Sequence, residues 1–395
     1  MKTFLRGIRP SYIAGVIAFL VTALVAHGRS TQYNNYVLLA QAFLHGHAWI
    51  DWPGAYIDAL AYHGRHYIIE GPMPAILLLP FVALWSTAAN QTLLAVLLAG
   101  VAIGAAWELC ERYGVSAATT AWLCAFMLVG TDLLWCAMLG DVWFIAHVSA
   151  ACFTLLALVE LAGKRRGWLV ALWAACAFES RFTLVLVVPV YALLVARGNK
   201  AWRQSLYGFV AILIPVTLLW VCYNAARWGT WYDIGYTAWY HQDQAGSPVG
   251  SPFQLQYLSY QLQSFFQQAP VFVNSSFPWV KPDMSGVALT WTSPALLLSL
   301  LTLTPARLRS DERWLIIGLW VAVILTAVPN FVYYVNGFAQ FGMRHALDFE
   351  PFLFALMALG VRQRLPVWGQ ILIVYSVLVG FWGCWYWNVF FRNGN

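Results

Sequence analysis

The sequence has very little charge for its length. Only 10% of its 395 residues are Asp, Glu, Lys or Arg, whereas 61% are hydrophobic. A soluble domain carries about 25% charged residues, so this chain cannot cover a water-facing surface of its size. The composition excludes a soluble enzyme, a nucleic-acid-binding protein and a disordered scaffold. It predicts an all-α polytopic membrane protein, and an aromatic content of 16% suits residues at a membrane–water interface.

The sequence also lacks the cysteine patterns of metal sites and disulfide frameworks. Its seven cysteines lie in or beside apolar runs, and none forms a CxxC motif or a set with histidine. We expect small core residues there, with no metal site and no disulfide. An internal repeat is missing as well, whereas many transporters are built from two repeated halves. This absence disfavours a transporter.

Long apolar runs predict about eleven transmembrane helices, each near the length that spans a bilayer. The distribution of lysine and arginine places the N-terminus in the cytoplasm and the C-terminus outside, by the positive-inside rule. No signal-peptidase site follows the first run, so we expect a retained helix. The predicted spans lie at 12–26, 91–110, 116–137, 143–163, 168–196 (two spans), 204–222, 293–305, 314–334, 349–361 and 367–388.

Two apolar segments do not fit a simple count of spans. The segment 71–89 contains three prolines between positions 72 and 80, which interrupt helical hydrogen bonding. We expect it to dip into the outer leaflet as a re-entrant segment. The segment 168–196 is too long for one span and is interrupted at Glu179-Ser180-Arg181. Because basic clusters flank it on both sides, we expect a short hairpin with both ends in the cytoplasm.

Two long loops, 27–70 and 223–292, lie on the predicted outer side. Helix-like stretches at 34–45 and 252–268 indicate helices in the plane of the membrane interface, with Ser251-Pro252 as the start of the second. The alternative is that these helices pack on the membrane domain. Neither loop has the composition of a separate soluble domain, so we expect one membrane domain over 1–395.

Two arginines on the outer side need an explanation, because an ionisable group at membrane depth costs about 2.5–3.5 kcal/mol or more. Arg181 lies near the turn of the hairpin, and Glu179 cannot face it across a helix. Either a lipid-linked phosphate or a distant buried carboxylate pairs with it. Arg344 has Asp348 four residues later, so a local salt bridge is the alternative to a role in binding.

Three further polar residues are ambiguous. His345, beside Arg344, is either a substrate-binding residue or a plain interfacial histidine. His147 is alone on an apolar helix and is predicted to belong to the core. Asp141 lies in a tight outer turn before a span, where helix N-capping alone would explain it.

Several short motifs occur in a defined order along the chain. A first span is followed by a helix-like stretch (NNYVLLAQAFLHG) and an acidic, aromatic stretch that ends in prolines (DALAYHGRHYIIEGPMPAILLLP). Later come an aspartate in an outer turn (LGDVWF), a basic residue at a broken helix (ESRFTLVLVVP) and an Arg-His pair before a span (MRHALDFEPFL). This order resembles the GT-C superfamily of polyprenyl-phosphate-sugar-dependent glycosyltransferases, and most closely its protein O-mannosyltransferase and lipid A aminoarabinose transferase branch.

The resemblance implies a GT-C-like fold and a membrane enzyme that transfers a hexose or a pentose. The donor is expected to be a sugar on a polyprenyl phosphate, held among membrane lipids. The acceptor is expected to be a hydroxyl of a lipid, a glycan or a protein. The enzyme would lie in the bacterial inner membrane with its site facing the periplasm. Transfer by a single displacement would invert the anomeric configuration.

The resemblance also suggests catalytic residues, with one departure. Many GT-C enzymes open the interfacial helix with an acidic pair, but this sequence has Asn34-Asn35 there, and an amide cannot accept a proton. The predicted base is therefore Asp58, or Asp51 in the same loop. Asp141 is expected to order the sugar or the base. The departure leaves open a non-catalytic scaffold subunit.

The expected substrate-binding residues lie on the same side. Arg181 and Arg344 are suited to a phosphate, because the guanidinium fork donates to two oxygens at once. The remaining predicted substrate-binding residues are His345, Asn34, Tyr67 and Glu70. A divalent cation is an open possibility, with Asp51, Asp58 and Glu70 as oxygen ligands. The main alternative function is a transporter or flippase of lipid-linked saccharides.

Overall fold

The computed structural model of the protein describes residues 9–197, 199–243, 250–274, 277–362 and 364–391, which are mostly helical. The α-helices are α1 (Pro10–Ala26), α2 (Asn35–Leu44), α3 (Met73–Trp85), α4 (Gln91–Arg112), α5 (Ala117–Val129), α6 (Leu133–Leu139), α7 (Val142–Ala162), α8 (Gly167–Phe178), α9 (Val188–Ala196), α10 (Trp202–Trp228), α11 (Gly235–Asp243), α12 (Leu258–Phe266), α13 (Leu289–Thr292), α14 (Pro305–Leu308), α15 (Arg313–Phe331), α16 (Glu350–Val361) and α17 (Val367–Tyr386). Other helical turns are 3-10 helices at Ser86–Ala88, Phe182–Val187, Leu255–Tyr257, Pro294–Leu303 and Arg344–Asp348, and a π-helix at Trp387–Phe391.

The strands are short and form three separate pairs. Antiparallel pairing joins β1 to β2 and β3 to β4, whereas β5 and β6 pair in parallel. Their bounds are β1 (Leu60–Tyr62), β2 (Arg65–Tyr67), β3 (Val271–Phe272), β4 (Val280–Lys281), β5 (Ser285–Val287) and β6 (Gln340–Gly342).

Five helices among the described residues are long and apolar enough to cross a membrane: α4, α7, α10, α15, and α17 with its π-helical continuation. The pair α5 and α6, bent by 48°, makes a sixth when counted as one span. The other predicted spans contain shorter apolar helices of 10–17 residues. The predicted all-α polytopic fold is confirmed. The number of helices long and apolar enough to cross a membrane is five or six among the described residues, however, rather than eleven.

Helix α7 lies at the centre of the fold. In the most apolar part of α7, 83% of the residues are buried inside the protein. On one side it packs against α4, which in turn packs against α1, and on another side it packs against α8. Where α1 meets α4, a Cβ on Gly100 would lie 3.0 Å from the Gly15 carbonyl oxygen, so glycine allows the two backbones to touch. The buried α7 therefore provides a fixed wall for side chains near its start.

The segment 168–196 is broken where the sequence predicts. Helix α8 ends at Phe178, and a 3-10 turn separates it from α9. The start of α3 packs on this break, because the Met73 amide donates to the Glu179 carbonyl at 3.0 Å. A Cβ on Gly71 would lie 2.1 Å from the same oxygen, so only glycine fits there. This contact brings the end of the loop 27–70 against Arg181.

The two loops contain helices at the predicted places. Helix α2 is largely buried, so it packs on the membrane domain. The second helical stretch starts at Leu255, so Ser251-Pro252 is not its N-cap, and Gln254 precedes its first turn. There Gln261 is buried and donates to the Tyr333 carbonyl at 2.8 Å, while Leu255 is exposed. One polar face of this helix therefore packs on the end of α15.

Candidate active site

One cavity of about 790 Å³ opens among the loop 27–70, the start of α7, the break at 181–186 and the segment that joins α15 to α16. Its lining combines carboxylates, arginines and histidines with aromatic and aliphatic side chains. The polar lining residues that bear on the chemistry are Asp58, Glu70, His147, Arg181, Arg344 and His345.

Arg181 forms a buried ion pair with Asp348. Its Nε and Nη2 atoms each lie 3.1 Å from one carboxylate oxygen of Asp348. The carboxylate also accepts hydrogen bonds from Thr183 Oγ1 at 2.8 Å and Asn330 Nδ2 at 3.2 Å. Of the two partners that the sequence allows for Arg181, a lipid-linked phosphate or a distant buried carboxylate, the structure contains the carboxylate. Arg181 still lines the cavity, so its guanidinium is anchored on one edge and open on another.

Arg344 does not pair with Asp348. Its Nη1 donates to Gln340 Oε1 at 2.7 Å, and its guanidinium lies 5.4 Å from the centre of the Phe144 ring. The predicted local salt bridge is wrong because residues 344–348 form a 3-10 helix, in which the fourth residue does not return to the same face. The Arg344 side chain faces the cavity instead. Within the part of the chain that the structure describes, its Nε atom has no hydrogen-bond partner.

Asp58 lies on the cavity and Asp51 does not. The backbone carbonyl of Asp58 accepts a hydrogen bond from Asn35 Nδ2 at 2.8 Å, which ties the loop to the start of α2. Burial raises the pKa of the Asp58 carboxyl, and a hydrogen bond from Trp143 partly opposes this shift. Asp51 is exposed to solvent. Asn34 precedes α2 and does not line the cavity. The amide that supports Asp58 is therefore that of Asn35, through the bond to the Asp58 carbonyl.

Glu70 is another carboxylate that lines the cavity. Burial raises its pKa to about 7, a nearby Asp58 charge adds to this effect, and Arg181 and Arg344 oppose it. Tyr67, three residues earlier, does not line the cavity but packs against Trp228 with ring centres 5.1 Å apart.

Asp141 precedes α7 but does not cap it. No backbone amide of α7 donates to its side chain, which instead accepts a hydrogen bond from Thr31 Oγ1. Asp141 is buried beside the cavity wall rather than among the lining residues. The N-capping explanation is therefore wrong, and the bond to Thr31 joins the chain after α1 to the start of α7.

His147, which the sequence assigns to the core, is a residue of the cavity. It is buried, as a core residue would be, yet its Nδ1 lies 3.0 Å from Asp348 Oδ1 and its ring lines the cavity. His345 also lines the cavity, with its Nδ1 3.2 Å from Arg181 Nη2. The partner of His147 is 201 residues away in the sequence, so no local pattern indicates the contact.

Aromatic rings form part of the cavity wall. Trp220 and Phe182 have ring centres 4.8 Å apart, and Phe182 in turn lies 5.6 Å from Tyr236. From the loop 223–292, Tyr236 and Trp239 line the cavity, whereas Trp228 packs in a separate core with Tyr67. The cavity is therefore amphipathic.

The predicted cation ligands do not converge. Among the described residues, no group of three or more His, Cys, Asp or Glu side chains could hold a metal ion. Asp51 is exposed away from the cavity, which leaves Asp58 and Glu70 of the predicted set facing it.

Fold and site together define a mostly helical membrane protein with an amphipathic cavity that joins loop carboxylates to buried arginines. No family model matches the sequence, and no curated protein matches it. The structure is similar to the crystal structure of ArnT from Cupriavidus metallidurans bound to undecaprenyl phosphate, with a TM-score of 0.51 and 14% sequence identity. The match covers 93% of this chain and 62% of ArnT, a GT-C aminoarabinose transferase. The predicted GT-C fold is therefore confirmed.

Proposed function

We propose that the protein transfers a sugar from a polyprenyl-phosphate donor to an acceptor hydroxyl. The observation that carries this proposal is that Asp58, Glu70, Arg181 and Arg344 all line the same cavity. Arginines bind the phosphate of such a donor, and a carboxylate activates a hydroxyl. The GT-C fold, shared with a protein solved with undecaprenyl phosphate, supports the choice of donor.

In the proposed reaction, Asp58 accepts the proton of the acceptor hydroxyl as that oxygen attacks the anomeric carbon. The bond from the anomeric carbon to the phosphate oxygen breaks, and the polyprenyl phosphate leaves. Arg344 and Arg181 stabilise the negative charge that grows on the leaving phosphate. A single displacement of this kind inverts the anomeric configuration. Burial of the Asp58 carboxyl raises its pKa and makes it a better base than an exposed aspartate.

The lipid chain of the donor is proposed to leave the cavity along its apolar side. Val185, Leu186 and Val328 line the cavity and are more than 40% exposed on the outside of the protein. Side chains of this kind suit contact with a polyprenyl chain or membrane lipid. We place the protein in the bacterial inner membrane, with a cytoplasmic N-terminus and the cavity facing the periplasm. The acceptor is a lipid, a glycan or a protein.

The proposed steps use protein side chains alone. The predicted requirement for a divalent cation is tested by treating the protein with EDTA and then adding Mg²⁺ or Mn²⁺. Restored transfer would show that a cation takes part.

The function is tested with purified protein in lipid vesicles and a panel of undecaprenyl phosphates that carry mannose, glucose, galactose or 4-amino-4-deoxyarabinose. The expected result is transfer or hydrolysis of the sugar, detected by mass spectrometry. Movement of the intact lipid-linked sugar between leaflets without chemical change would contradict the proposal and select a flippase.

Replacement of Arg344 by glutamine is expected to weaken binding of undecaprenyl phosphate. A hydrogen bond to a charged group contributes about 1.5–3 kcal/mol, so the loss should be roughly tenfold to a hundredfold in Kd. Binding is measured by microscale thermophoresis in detergent. Arg309→Gln is the matched control, because Arg309 is exposed and lies outside the cavity. Equal affinity of R344Q and R309Q would remove Arg344 from the phosphate site.

Donor binding is expected to weaken as the pH rises past 7, because the pKa of Glu70 is about 7. Below that pH the carboxyl is protonated and neutral, whereas above it a negative charge faces the phosphate of the donor. A like charge at about 4 Å costs about 1 kcal/mol in water, or roughly fivefold in Kd. The phosphodiester of the donor does not titrate in this range. Glu70→Gln should flatten the pH profile of donor Kd, and an unchanged profile would exclude Glu70 as its cause.

A further inference from the structure

Two histidines lie side by side on the ion pair between Arg181 and Asp348. His147 belongs to α7 and His345 to the 3-10 helix 344–348, and their ring centres are 5.1 Å apart with the ring planes at 86°. Both rings line the cavity. The hydrogen bonds of each ring to the ion pair determine which nitrogen carries the proton.

His345 is a hydrogen-bond donor toward the cavity. Arg181 Nη2 lies 3.2 Å from His345 Nδ1, and a guanidinium can only donate, so Nδ1 must hold a lone pair. The proton of the neutral ring is therefore on Nε2. Among the described residues, no side chain or backbone group accepts a hydrogen bond from that atom. Its N–H is left for a ligand.

His147 has the opposite tautomer. Asp348 accepts hydrogen bonds from Arg181, Thr183 and Asn330 as well as from His147, so it is an ionised carboxylate and Nδ1 of His147 carries the proton. Arg181 already balances the charge of Asp348. A protonated His147 would give the group Arg181, Asp348 and His147 a net positive charge in a buried place, which is unfavourable. The ring is therefore neutral, and its Nε2 is an acceptor.

We infer that this histidine pair binds the donor where its phosphate meets its sugar, with His345 donating to a phosphate oxygen and His147 accepting from a sugar hydroxyl. This inference rests on the proposed function. A phosphodiester carries no proton to donate, so the acceptor nitrogen of His147 must face a hydroxyl. The hydroxyl closest to the phosphate is on the carbon next to the anomeric carbon, the 2-hydroxyl. Neither ring serves as the base.

The test compares the donor that the sugar panel identifies with its 2-deoxy form, using Kd as the readout. We expect the wild-type protein to bind the full donor about tenfold more tightly, as one hydrogen bond predicts. His147→Asn keeps an N–H for Asp348 but removes the acceptor at the Nε2 position, so the preference should disappear. His147→Gln places an amide oxygen at that position and should keep most of it.

His345 is tested with the same logic on undecaprenyl phosphate itself. His345→Asn keeps an acceptor for Arg181 but lacks the N–H at the Nε2 position, so Kd should rise about tenfold. His345→Gln supplies an amide N–H there and should bind like the wild type. If the asparagine and glutamine variants of a histidine have equal Kd values in its test, the role of that histidine is structural only.

The outcomes separate this inference from the proposed function. A wild-type protein with no preference for the 2-hydroxyl, or a preference that survives in H147N, overturns the inference while donor transfer continues. A wild-type protein that neither binds undecaprenyl phosphate nor transfers any sugar of the panel overturns the proposed function, and this result needs no variant.

Discussion

Asp58→Asn is expected to lower sugar transfer by about 10²–10⁴-fold, the contribution of a general base. The amide has the shape of the carboxyl and can still accept the hydrogen bond from Trp143. The Asn35 bond is to the backbone carbonyl and is unaffected. We therefore expect kcat to fall while the Kd of undecaprenyl phosphate stays near its wild-type value.

Asp51→Asn is the matched control for this experiment. Asp51 belongs to the same loop but is exposed and does not line the cavity. Full activity of D51N together with the loss in D58N would assign the base. The reverse pattern would assign it to Asp51 and would require the loop to close over the cavity in the working enzyme. Full activity of both variants would exclude both residues.

Composition and charge could predict the class of the protein and several members of the cavity. Ionisable groups are rare in apolar sequence because they are costly at membrane depth, so Arg181 and Arg344 could be identified as candidates for a functional site. Both line the cavity, together with Asp58 and Glu70 from the first loop. The break in the helix at Arg181 could also be predicted, because a polar triplet interrupts an apolar run.

The partners of these residues could not be predicted, because they come from distant parts of the chain. Arg181 and Asp348 are 167 residues apart. A spacing of four residues favoured a bond between Arg344 and Asp348, but that rule assumes an α-helix, and the chain forms a 3-10 helix there. The contact of His147 with Asp348 could not be predicted for the same reason, because the two residues are 201 positions apart. The apolar helix around His147 indicates only a core position.

Asp348→Ala is expected to destabilise the protein strongly. Asp348 is fully buried, and its loss would leave Arg181 as a buried charge without its partner. Breaking a buried pair on one side costs about 3–5 kcal/mol. The hydrogen bonds from Thr183, Asn330 and His147 would be lost as well. A fall in Tm in detergent checks this expectation, and a wild-type Tm would contradict it.

The double variant Arg181→Met with Asp348→Leu tests whether this ion pair serves donor binding or folding of the chain. Removal of both charges leaves no unpaired ion, and similar replacements of buried pairs in other proteins are often neutral. We therefore expect the double variant to be more stable than D348A, with a double-mutant cycle giving the coupling energy. If it also fails to bind undecaprenyl phosphate, the pair serves donor binding, through the Arg181 guanidinium or through the two histidines that contact the pair, rather than folding of the chain. If it binds and transfers like the wild type, Arg181 has no part in the reaction.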